Sequence, residues 1–223
     1  EKMSYDFVGH PLLEGKRNYK IDINQVVGKN KAIISVFAGS RISEINTLMP
    51  ILLNFIKLMS KKYDDITYVF HSNIEHNELI NSYIKELDFS NCEVASDDQI
   101  KSHLLRKSIF AVVKSGTVSL EVCNAKIPSI IIYKTNFINF LIIKILIKIK
   151  YVNIVNIVAN HEVIPELLQS GCNPKNIYNV VSSYLESPLK IKDQISKIEK
   201  VINSLKTDSS SAKLASQAIN KFL

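Results

Sequence analysis

The sequence has few of the residues that build disulfide frameworks and metal centres. Its three cysteines, Cys92, Cys123 and Cys172, are odd in number and far apart along the chain. The five histidines form no cluster with them, so the spacing typical of metal ligands is missing. We therefore predict no structural metal and no cofactor. We interpret the cysteine usage as that of a protein from a reducing compartment.

Arginine is also scarce, because only three of the 28 basic residues are arginine and the others are lysine. The formal net charge of +7 suits anionic partners such as nucleotides or lipid phosphates. No nucleic-acid motif is present, and no basic stripe is interleaved with aromatic residues, so we predict no nucleic-acid partner.

The polar start of the sequence does not resemble a signal peptide, and it lacks an initiator methionine. We expect a piece of a longer protein.

What the chain does have is a regular alternation of short apolar runs and helical periods. This alternation predicts an α/β fold with a doubly wound, mostly parallel sheet. The predicted strands are 32–37, 66–70, 92–95, 109–113 and 129–133, and the predicted helices between them are 43–62, 76–87, 97–107 and 117–125. From residue 161 the pattern predicts helices only, at 161–170, 174–186, 191–205 and 209–223.

The stretch 114–128 lies between two predicted strands and contains the tight turn Ser115, Gly116, Thr117. A turn at the carboxyl end of a parallel strand is where such sheets bind ligands. Gly116 allows a close approach of the backbone, the two hydroxyls add donors, and the following helix start favours phosphate. Glu121, one turn later, is within reach of a sugar hydroxyl. The alternative is a simple turn and helix cap, with Glu121 as a solvated acid.

A second turn, Gly39, Ser40, Arg41, follows the first predicted strand. The planar guanidinium of Arg41 suits bidentate phosphate contact. The alternative is a surface arginine near a helix start, where the helix dipole does not favour a cation. Glu44 could be an acid of the first helical turn that satisfies that dipole.

The stretch 137–149 is strongly apolar but contains Lys144 and Lys148. It is shorter than the roughly 20 residues that a membrane span needs. The two lysines are four residues apart and so share one helix face, which predicts an apolar helix with a cationic edge. Such a helix can lie at a membrane surface beside anionic headgroups. The alternative is a core-facing or subunit-facing helix with solvated lysines.

Seven stretches, taken together and in order, resemble the lipid-A-disaccharide synthases, a glycosyltransferase family of the GT-B fold. They are FVGHPL at 7–12, GSRISE at 39–44, SGTVSLE at 115–121, AKIP at 125–128, YK at 133–134, YV at 151–152 followed by Asn156, and VIPELLQ at 163–169. The chain departs from the family pattern at Ala38 and Val155, where the family usually has proline, and at 160–161. These departures leave the phosphate-binding turns intact.

The resemblance implies a Rossmann-like parallel-sheet domain that forms the nucleotide-sugar-binding half of a GT-B enzyme. Its expected divisions are an interdomain linker at 1–31, the nucleotide-sugar-binding domain at 32–187 and a carboxyl-terminal helical extension at 188–223. The full enzyme would transfer diacylglucosamine from UDP to diacylglucosamine 1-phosphate, giving lipid A disaccharide phosphate and UDP. The acidic catalytic residue and most of the surface for the lipid acceptor would belong to the missing amino-terminal domain.

The resemblance also implies roles for individual residues. Arg41, with Gly39 and Ser40, would stabilise the departing diphosphate, whereas Ser115, Gly116 and Thr117 would hold its β-phosphate. Glu121 would bind the ribose hydroxyls. Asn156 matches a polar position near the donor, although a loop asparagine is often only a turn former. His10 could face the cleft or be a structural linker residue.

The implied partners are a UDP-sugar donor, a lipid acceptor, a membrane surface and the missing domain, and self-association into a homo-oligomer is a further expectation. The implied location is cytoplasmic, peripheral to the inner membrane. Two alternatives stay open: another GT-B UDP-sugar transferase of envelope synthesis, and a non-catalytic module that binds nucleotides or docks on membranes. We expect the isolated chain to fold, bind UDP weakly and transfer no sugar.

Overall fold

The computed structural model of the chain describes residues 6–14, 32–86, 90–135 and 150–220. Within these residues, six strands form one parallel sheet in the order β3-β2-β1-β4-β5-β6. The order reverses beside β1, which places a crevice at the carboxyl ends of β1 and β4. The strands are β1 (Ala32–Phe37), β2 (Ile66–His71), β3 (Cys92–Ala95), β4 (Ser108–Lys114), β5 (Ser129–Tyr133) and β6 (Glu166–Leu168).

Helices cover both faces of this sheet, as buried parallel strands require. The described helices are α1 (Ile42–Met59), α2 (Asn77–Glu86), α3 (Asp98–Lys107), α4 (Val118–Asn124), α5 (Ile154–Ala159), α6 (Pro174–Leu185), α7 (Pro188–Ser204) and α8 (Ser211–Ile219). Short 3₁₀ turns lie at Pro11–Leu13, Ile74–His76 and Gln169–Gly171. The predicted α/β parallel-sheet architecture is therefore confirmed.

Helix α1 dominates the core on one face of the sheet. Its apolar residues recur at helical spacing, so eight of them, from Ile45 to Met59, are buried against β1, β2 and α6. Among the described residues, α1 is the one helix with the length and apolar character of a membrane span. These eight side chains pack inside the protein, which is the ordinary position of a core helix.

A second apolar cluster lies on the opposite face, where α4, α5 and α7 cover β4 and β5. Leu120 of α4, Val155 of α5 and Ile198 of α7 are all buried in it. Helix α3 packs beside them over β1, through Leu104. The loops that leave the carboxyl ends of β1, β2 and β4 are thereby held between rigid elements.

The predicted helix at 161–170 is wrong, because this segment contains β6, which pairs in parallel with β5. Its apolar residues have a helix-like spacing, but Pro165 has no amide hydrogen and disfavours a helical conformation at Ile164. The carbonyl oxygen of Pro165 instead accepts a hydrogen bond from the amide of Ile131 in β5. The segment therefore adds an edge strand to the sheet.

Helix α5 was not predicted, although its ends carry recognisable signals. The side chain of Asn153 accepts a hydrogen bond from the amide of Val155, which caps the helix start. Asn160 ends the helix in a left-handed conformation with φ +55°. The later helices were predicted with small shifts, and α7 begins earlier than expected because Ser187 caps it and Pro188 occupies its first turn.

The stretch 137–149, predicted as an apolar helix with a cationic edge, lies outside the described residues. The division into 1–31, 32–187 and 188–223 stays a prediction. Helix α7 is nevertheless closely attached to the sheet, because its residues Ile198, Val201 and Ile202 belong to the same core cluster as α4.

Gln194 is the polar contact that fixes α7 to the sheet. Its Oε1 accepts from the Ser129 amide at 2.8 Å, and its Nε2 donates to the Ser129 carbonyl at 3.0 Å and to the Tyr184 hydroxyl at 3.2 Å. The side chain is only 2% exposed. Because water does not reach this buried position, the Gln194 side chain pairs the amide and the carbonyl of Ser129 at the start of β5.

We predict that Gln194→Leu lowers the free energy of unfolding by about 2–4 kcal/mol, because it leaves buried amide and carbonyl groups of Ser129 unpaired. Urea unfolding monitored by circular dichroism measures this. The matched control is Ser196→Ala at an exposed position of the same helix, for which we expect a change within about 0.5 kcal/mol. Equal stability of the two variants would contradict the assigned role of Gln194.

Candidate functional site

A cavity of about 380 Å³ opens at the carboxyl edge of the sheet, where β1, β2 and β4 end. Its walls come from the ends of β1, β2 and β4, from the turns that follow them, and from helices α3 and α4. The lining residues are Phe37, Gly39, Ser40, His71, Ser72, Asn73, Asp98, Lys101, Ser102, Leu105, Lys114, Ser115, Gly116, Thr117, Val118 and Glu121. This is the place in the fold where ligands of open parallel sheets bind.

The turn after β1 is folded around the carboxylate of Glu44, which lies in the first turn of α1. The Ser40 amide donates to Glu44 Oε2 at 3.0 Å. Gly39 has φ +115°, and a Cβ there would come within 2.5 Å of the same oxygen. Only glycine combines this backbone conformation with so close an approach.

Glu44 also organises two cations. Its Oε1 lies 2.8 Å from Lys114 Nζ and 3.7 Å from Arg41 Nη1. Partial burial by itself would raise the pKa of Glu44. The hydrogen bonds from Lys114 and from the Ser40 amide, with the charges of Lys114 and Arg41, outweigh that effect and hold the pKa below its usual value. The carboxylate therefore stays ionised and ties the β1 turn to the end of β4.

The turn after β4 presents backbone donors to the cavity. Among the described residues, the amides of Gly116, Thr117 and Val118 have no hydrogen-bond acceptor, whereas the Ser115 amide donates to the Ile132 carbonyl. All three unpaired amides belong to residues that line the cavity. Consecutive unpaired amides form a concave surface that accepts an anion.

A polar network supports this turn from below. Ser115 Oγ donates to the Val152 carbonyl at 3.2 Å, and Asn153 Nδ2 donates to Ser119 Oγ at 2.9 Å. The carboxylate of Glu166 accepts from the amides of Val152 and Asn153 at 2.9 and 3.0 Å. The strand β6 therefore holds the segment on which the β4 turn rests.

On the other side of the cavity, the last residue of β2 is a buried histidine. The ring of His71 stacks on that of Phe37, with centroids 4.4 Å apart and planes inclined by 16°. Burial, with a smaller effect from the charge of Lys101, lowers the pKa of His71 to about 3. The imidazole is therefore neutral at physiological pH.

Comparison with known proteins identifies the family to which this chain belongs. The family model described as "Lipid-A-disaccharide synthetase" matches residues 1–222. The chain belongs to the lipid-A-disaccharide synthase family. It is 32% identical over 222 residues to the lipid-A-disaccharide synthase of Sulfurihydrogenibium sp., covering 92% of this chain and 56% of that protein. The enzyme of Rickettsia prowazekii is also 32% identical, over 89% of this chain and 53% of its own length. The chain thus spans about half the length of the curated relatives it matches.

Solved structures of GT-B glycosyltransferases and UDP-sugar epimerases share the fold of this chain. The C-terminal domain of a glycosyl transferase group 1 family protein from Francisella tularensis matches 81% of this chain and 88% of that domain, with TM-score 0.55 and 14% identity. The UDP-GlcNAc 2-epimerase from Neisseria meningitidis, bound to UDP-GlcNAc, matches 89% of this chain and 46% of its own, with TM-score 0.56 and 16% identity. At these identities the likeness establishes the Rossmann-like GT-B fold alone.

The structure brings most of the predicted site residues of this family member together. The lining of the cavity contains both turns and the helix acid, namely Gly39, Ser40, Ser115, Gly116, Thr117 and Glu121. Arg41 lies beside the cavity without lining it, with a side chain that is 80% exposed and reaches Glu44. The alternative of a solvated surface acid for Glu121 is not favoured, because the residue faces the same space as the two turns.

Two predicted residues lie outside this lining. Asn156 is fully buried, and its amide is used in four hydrogen bonds: it donates to the Ile164 carbonyl and Glu166 and accepts from the amides of Val163 and Ile164. It therefore fixes the 150–168 region and does not contact the cavity. His10 accepts from the Leu12 amide at 3.3 Å as the cap of a 3₁₀ turn, which agrees with the structural alternative.

Seven polar cavity residues were not predicted from the sequence, and three of them, His71, Lys101 and Lys114, have basic side chains. His71 and Lys114 are the last residues of β2 and β4, so a rule that inspects strand-final polar residues finds them. Lys101 is paired with Asp98 at 2.7 Å and donates to the Ser72 carbonyl at 3.2 Å. No group of three metal-ligating side chains is found among the residues that the structure describes.

The contrast between the two turn glycines gives a direct test of the site geometry. We predict that Gly39→Ala lowers the free energy of unfolding by about 1–3 kcal/mol, because alanine is strained at positive φ and collides with Glu44. At Gly116 an added Cβ meets only the Lys114 carbonyl oxygen, at 3.9 Å, so we expect Gly116→Ala to change stability by about 0.5 kcal/mol or less. Thermal unfolding of the two variants, side by side, measures the difference. Similar losses in both would contradict the packing of Glu44 against Gly39.

Glu44 also predicts a pH dependence. Because its pKa is lowered in the folded state, its contribution to stability is complete above the unfolded pKa and is lost as the pH falls through the folded pKa. Below about pH 4.3, the usual pKa of glutamate, the free energy of unfolding should therefore fall more steeply for the unmutated chain than for Glu44→Gln. Urea unfolding at a series of pH values measures the two slopes, with the exposed Glu75→Gln as the control. Parallel slopes for Glu44→Gln and the unmutated chain would exclude the ion pairs as a source of stability.

Proposed function

We propose that this chain is the donor-binding half of a transferase that moves diacylglucosamine from UDP to diacylglucosamine 1-phosphate. The products are the disaccharide phosphate of lipid A and UDP. Membership of the lipid-A-disaccharide synthase family supports the reaction. The cavity at the carboxyl edge of the sheet supports the assignment of the nucleotide-sugar donor to this half.

The observation that carries the proposal is the anion-binding wall at the end of β4. The unpaired amides of Gly116, Thr117 and Val118 lie on a cavity that also contains the Lys114 ammonium group. A diphosphate has only acceptor oxygens and negative charge, so it matches these donors in both respects.

The chemistry of the donor explains why fixed cations are needed. When the anomeric bond breaks, negative charge develops on the departing diphosphate. Preorganised donors stabilise that charge without having to reorient during the reaction. Lys114 is held by Glu44 close to the amide wall, while Arg41 is exposed beside the cavity and can turn towards a ligand. In this proposal Lys114 binds the diphosphate in the ground state and Arg41 adds a second cation.

The remaining roles follow the same division. Glu121 lines the cavity one turn into α4 and would accept hydrogen bonds from the ribose hydroxyls. The amino-terminal half of the enzyme would supply the acidic catalytic residue and most of the lipid acceptor site. We further propose that the assembled enzyme is cytoplasmic, works at the surface of the inner membrane and forms a homo-oligomer.

Calorimetric titration with UDP tests the proposed donor site. We expect weak but measurable binding by the unmutated chain. Lys114→Met should weaken it about tenfold or more, because a hydrogen bond to a charged group is lost. Arg41→Ala should weaken it to a smaller degree. The control is Lys61→Ala, an exposed lysine after the carboxyl end of α1 and so at the opposite edge of the sheet, for which we expect unchanged affinity.

Two results would count against this assignment. Equal affinities for the Lys114→Met and Lys61→Ala variants would mean that UDP does not bind at the wall after β4. Absence of binding both by this chain and by a protein that restores the amino-terminal half would overturn the donor-site proposal as a whole. Binding only by the restored protein would mean that both halves form the site.

A further inference from the structure

A chain of hydrogen bonds runs through the sheet to the cavity. Ser108 Oγ donates to the Leu104 carbonyl at 3.0 Å. Ser35 Oγ lies 2.7 Å from Ser108 Oγ and 2.7 Å from His71 Nε2. All three side chains of this chain, those of His71, Ser35 and Ser108, are buried.

The proton positions follow from the number of hydrogens available. A hydroxyl group carries one hydrogen. Ser108 uses its hydrogen on the Leu104 carbonyl, so Ser35 must donate to Ser108. With its own hydrogen used, Ser35 can only accept from the histidine. His71 must therefore carry its proton on Nε2.

The other ring nitrogen, Nδ1, is then an acceptor without a proton. A second proton would make the ring cationic, and burial opposes this by lowering the pKa of His71. In the part of the chain that the structure describes, no donor is hydrogen-bonded to Nδ1. Nδ1 is not one of the described buried polar atoms that lack a partner, so it is accessible to solvent. Because His71 lines the cavity, a neutral ring with one accessible acceptor forms part of the site.

The Nδ1 atom is a hydrogen-bond acceptor, whereas the opposite wall of the cavity consists of donors. The wall after β4 offers amide hydrogens and a lysine ammonium group, which suit phosphate oxygens. An ionised phosphate offers no hydrogen and cannot satisfy Nδ1. In the sheet order, β2 lies two strands from β4, about 10 Å away at the usual strand spacing. That distance is on the scale of a nucleoside, whose N–H and O–H groups are donors.

We propose that His71 is a specificity-determining residue of the nucleotide site, whose unprotonated Nδ1 accepts a hydrogen bond from an N–H or O–H group of the bound nucleoside. The inference rests on the proposed donor-binding function and adds a residue that selects the nucleoside through a hydrogen bond. Ser35 and Ser108 are positioning residues, because their hydrogen bonds fix the tautomer that leaves Nδ1 free. A ligand with an acceptor in place of that donor would be rejected, since two acceptors would then face each other.

A matched pair of substitutions separates the two ring nitrogens. In His71→Gln the amide reaches the position of Nε2 and can still donate to Ser35, but nothing replaces Nδ1. In His71→Asn the amide lies near the position of Nδ1 and can still accept from a ligand, but the bond to Ser35 is lost. We expect His71→Gln to fold normally and to bind UDP about three- to tenfold more weakly. His71→Asn should be less stable and should bind UDP more tightly than His71→Gln.

Ligand variants identify the group that donates. We expect N3-methyl-UDP, which lacks the imide hydrogen, to bind equally to the unmutated chain and to His71→Gln if the base is read. If a ribose hydroxyl is read, 2′-deoxy-UDP should abolish the difference instead. In either case the losses from protein and ligand changes are not additive, because both remove the same hydrogen bond.

Nitrogen NMR of the histidine ring gives a readout that a purely structural role would not change. The unmutated chain should show a protonated Nε2 and an unprotonated Nδ1, and UDP should shift the Nδ1 resonance towards that of a hydrogen-bonded nitrogen. Ser35→Ala should allow the other tautomer to appear.

The outcomes separate this inference from the proposed function. If UDP binds equally to the unmutated chain and to His71→Gln, the role of His71 is wrong while the donor site stands. A protonated Nδ1 in the free protein would equally overturn the role of His71. If UDP binds neither protein, with or without the amino-terminal half, both the inference and the proposed function fail.

Discussion

The carboxylate of Glu44 is the contact on which the site depends. It accepts a hydrogen bond from the Ser40 amide, pairs with Lys114 and lies against Gly39. These three groups come from a turn and from the end of β4, which are far apart in the sequence. Because one carboxylate binds all of them, the turn after β1 and the cation at the end of β4 keep a fixed relation before any ligand arrives. This is the preorganisation that electrostatic catalysis requires.

A second carboxylate, that of Glu166, holds in place the segment that supports the turn after β4. Glu166 holds the amides of Val152 and Asn153 and the side chain of Asn156. That segment in turn accepts from Ser115 and donates to Ser119. The short edge strand β6 is therefore part of the support of the ligand site, although none of its residues lines the cavity. The VIPELLQ stretch thus has a structural role. The Pro165 carbonyl pairs the segment with β5, and Glu166 binds the segment that supports the β4 turn.

The sequence predicted the sheet and the turns after β1 and β4 because their signals are local. Apolar runs mark the strands, and Ser115–Gly116–Thr117 and Gly39–Ser40 mark the turns at their carboxyl ends. It did not predict β6, because the apolar spacing of this segment imitates a helix. Pro165 disfavours a helix there, but only the pairing with β5 shows that the segment is a strand. The role of Asn156 and the hydrogen bonds of His71 could not be predicted either. Asn156 bonds to Ile164 and Glu166, in a segment that was predicted as a helix. His71 bonds to Ser35, which is distant in the sequence.

The distribution of charge in the cavity explains why this half alone should bind its nucleotide weakly. Both cavity lysines already have acidic partners, Lys114 with Glu44 and Lys101 with Asp98. The net charge of +7 on the chain is therefore not concentrated at the site. A diphosphate would have to share these cations with carboxylates that stay in place, so the unpaired amides after β4 supply much of the attraction. In the proposed transferase, moderate binding of UDP would let this product leave after the transfer step.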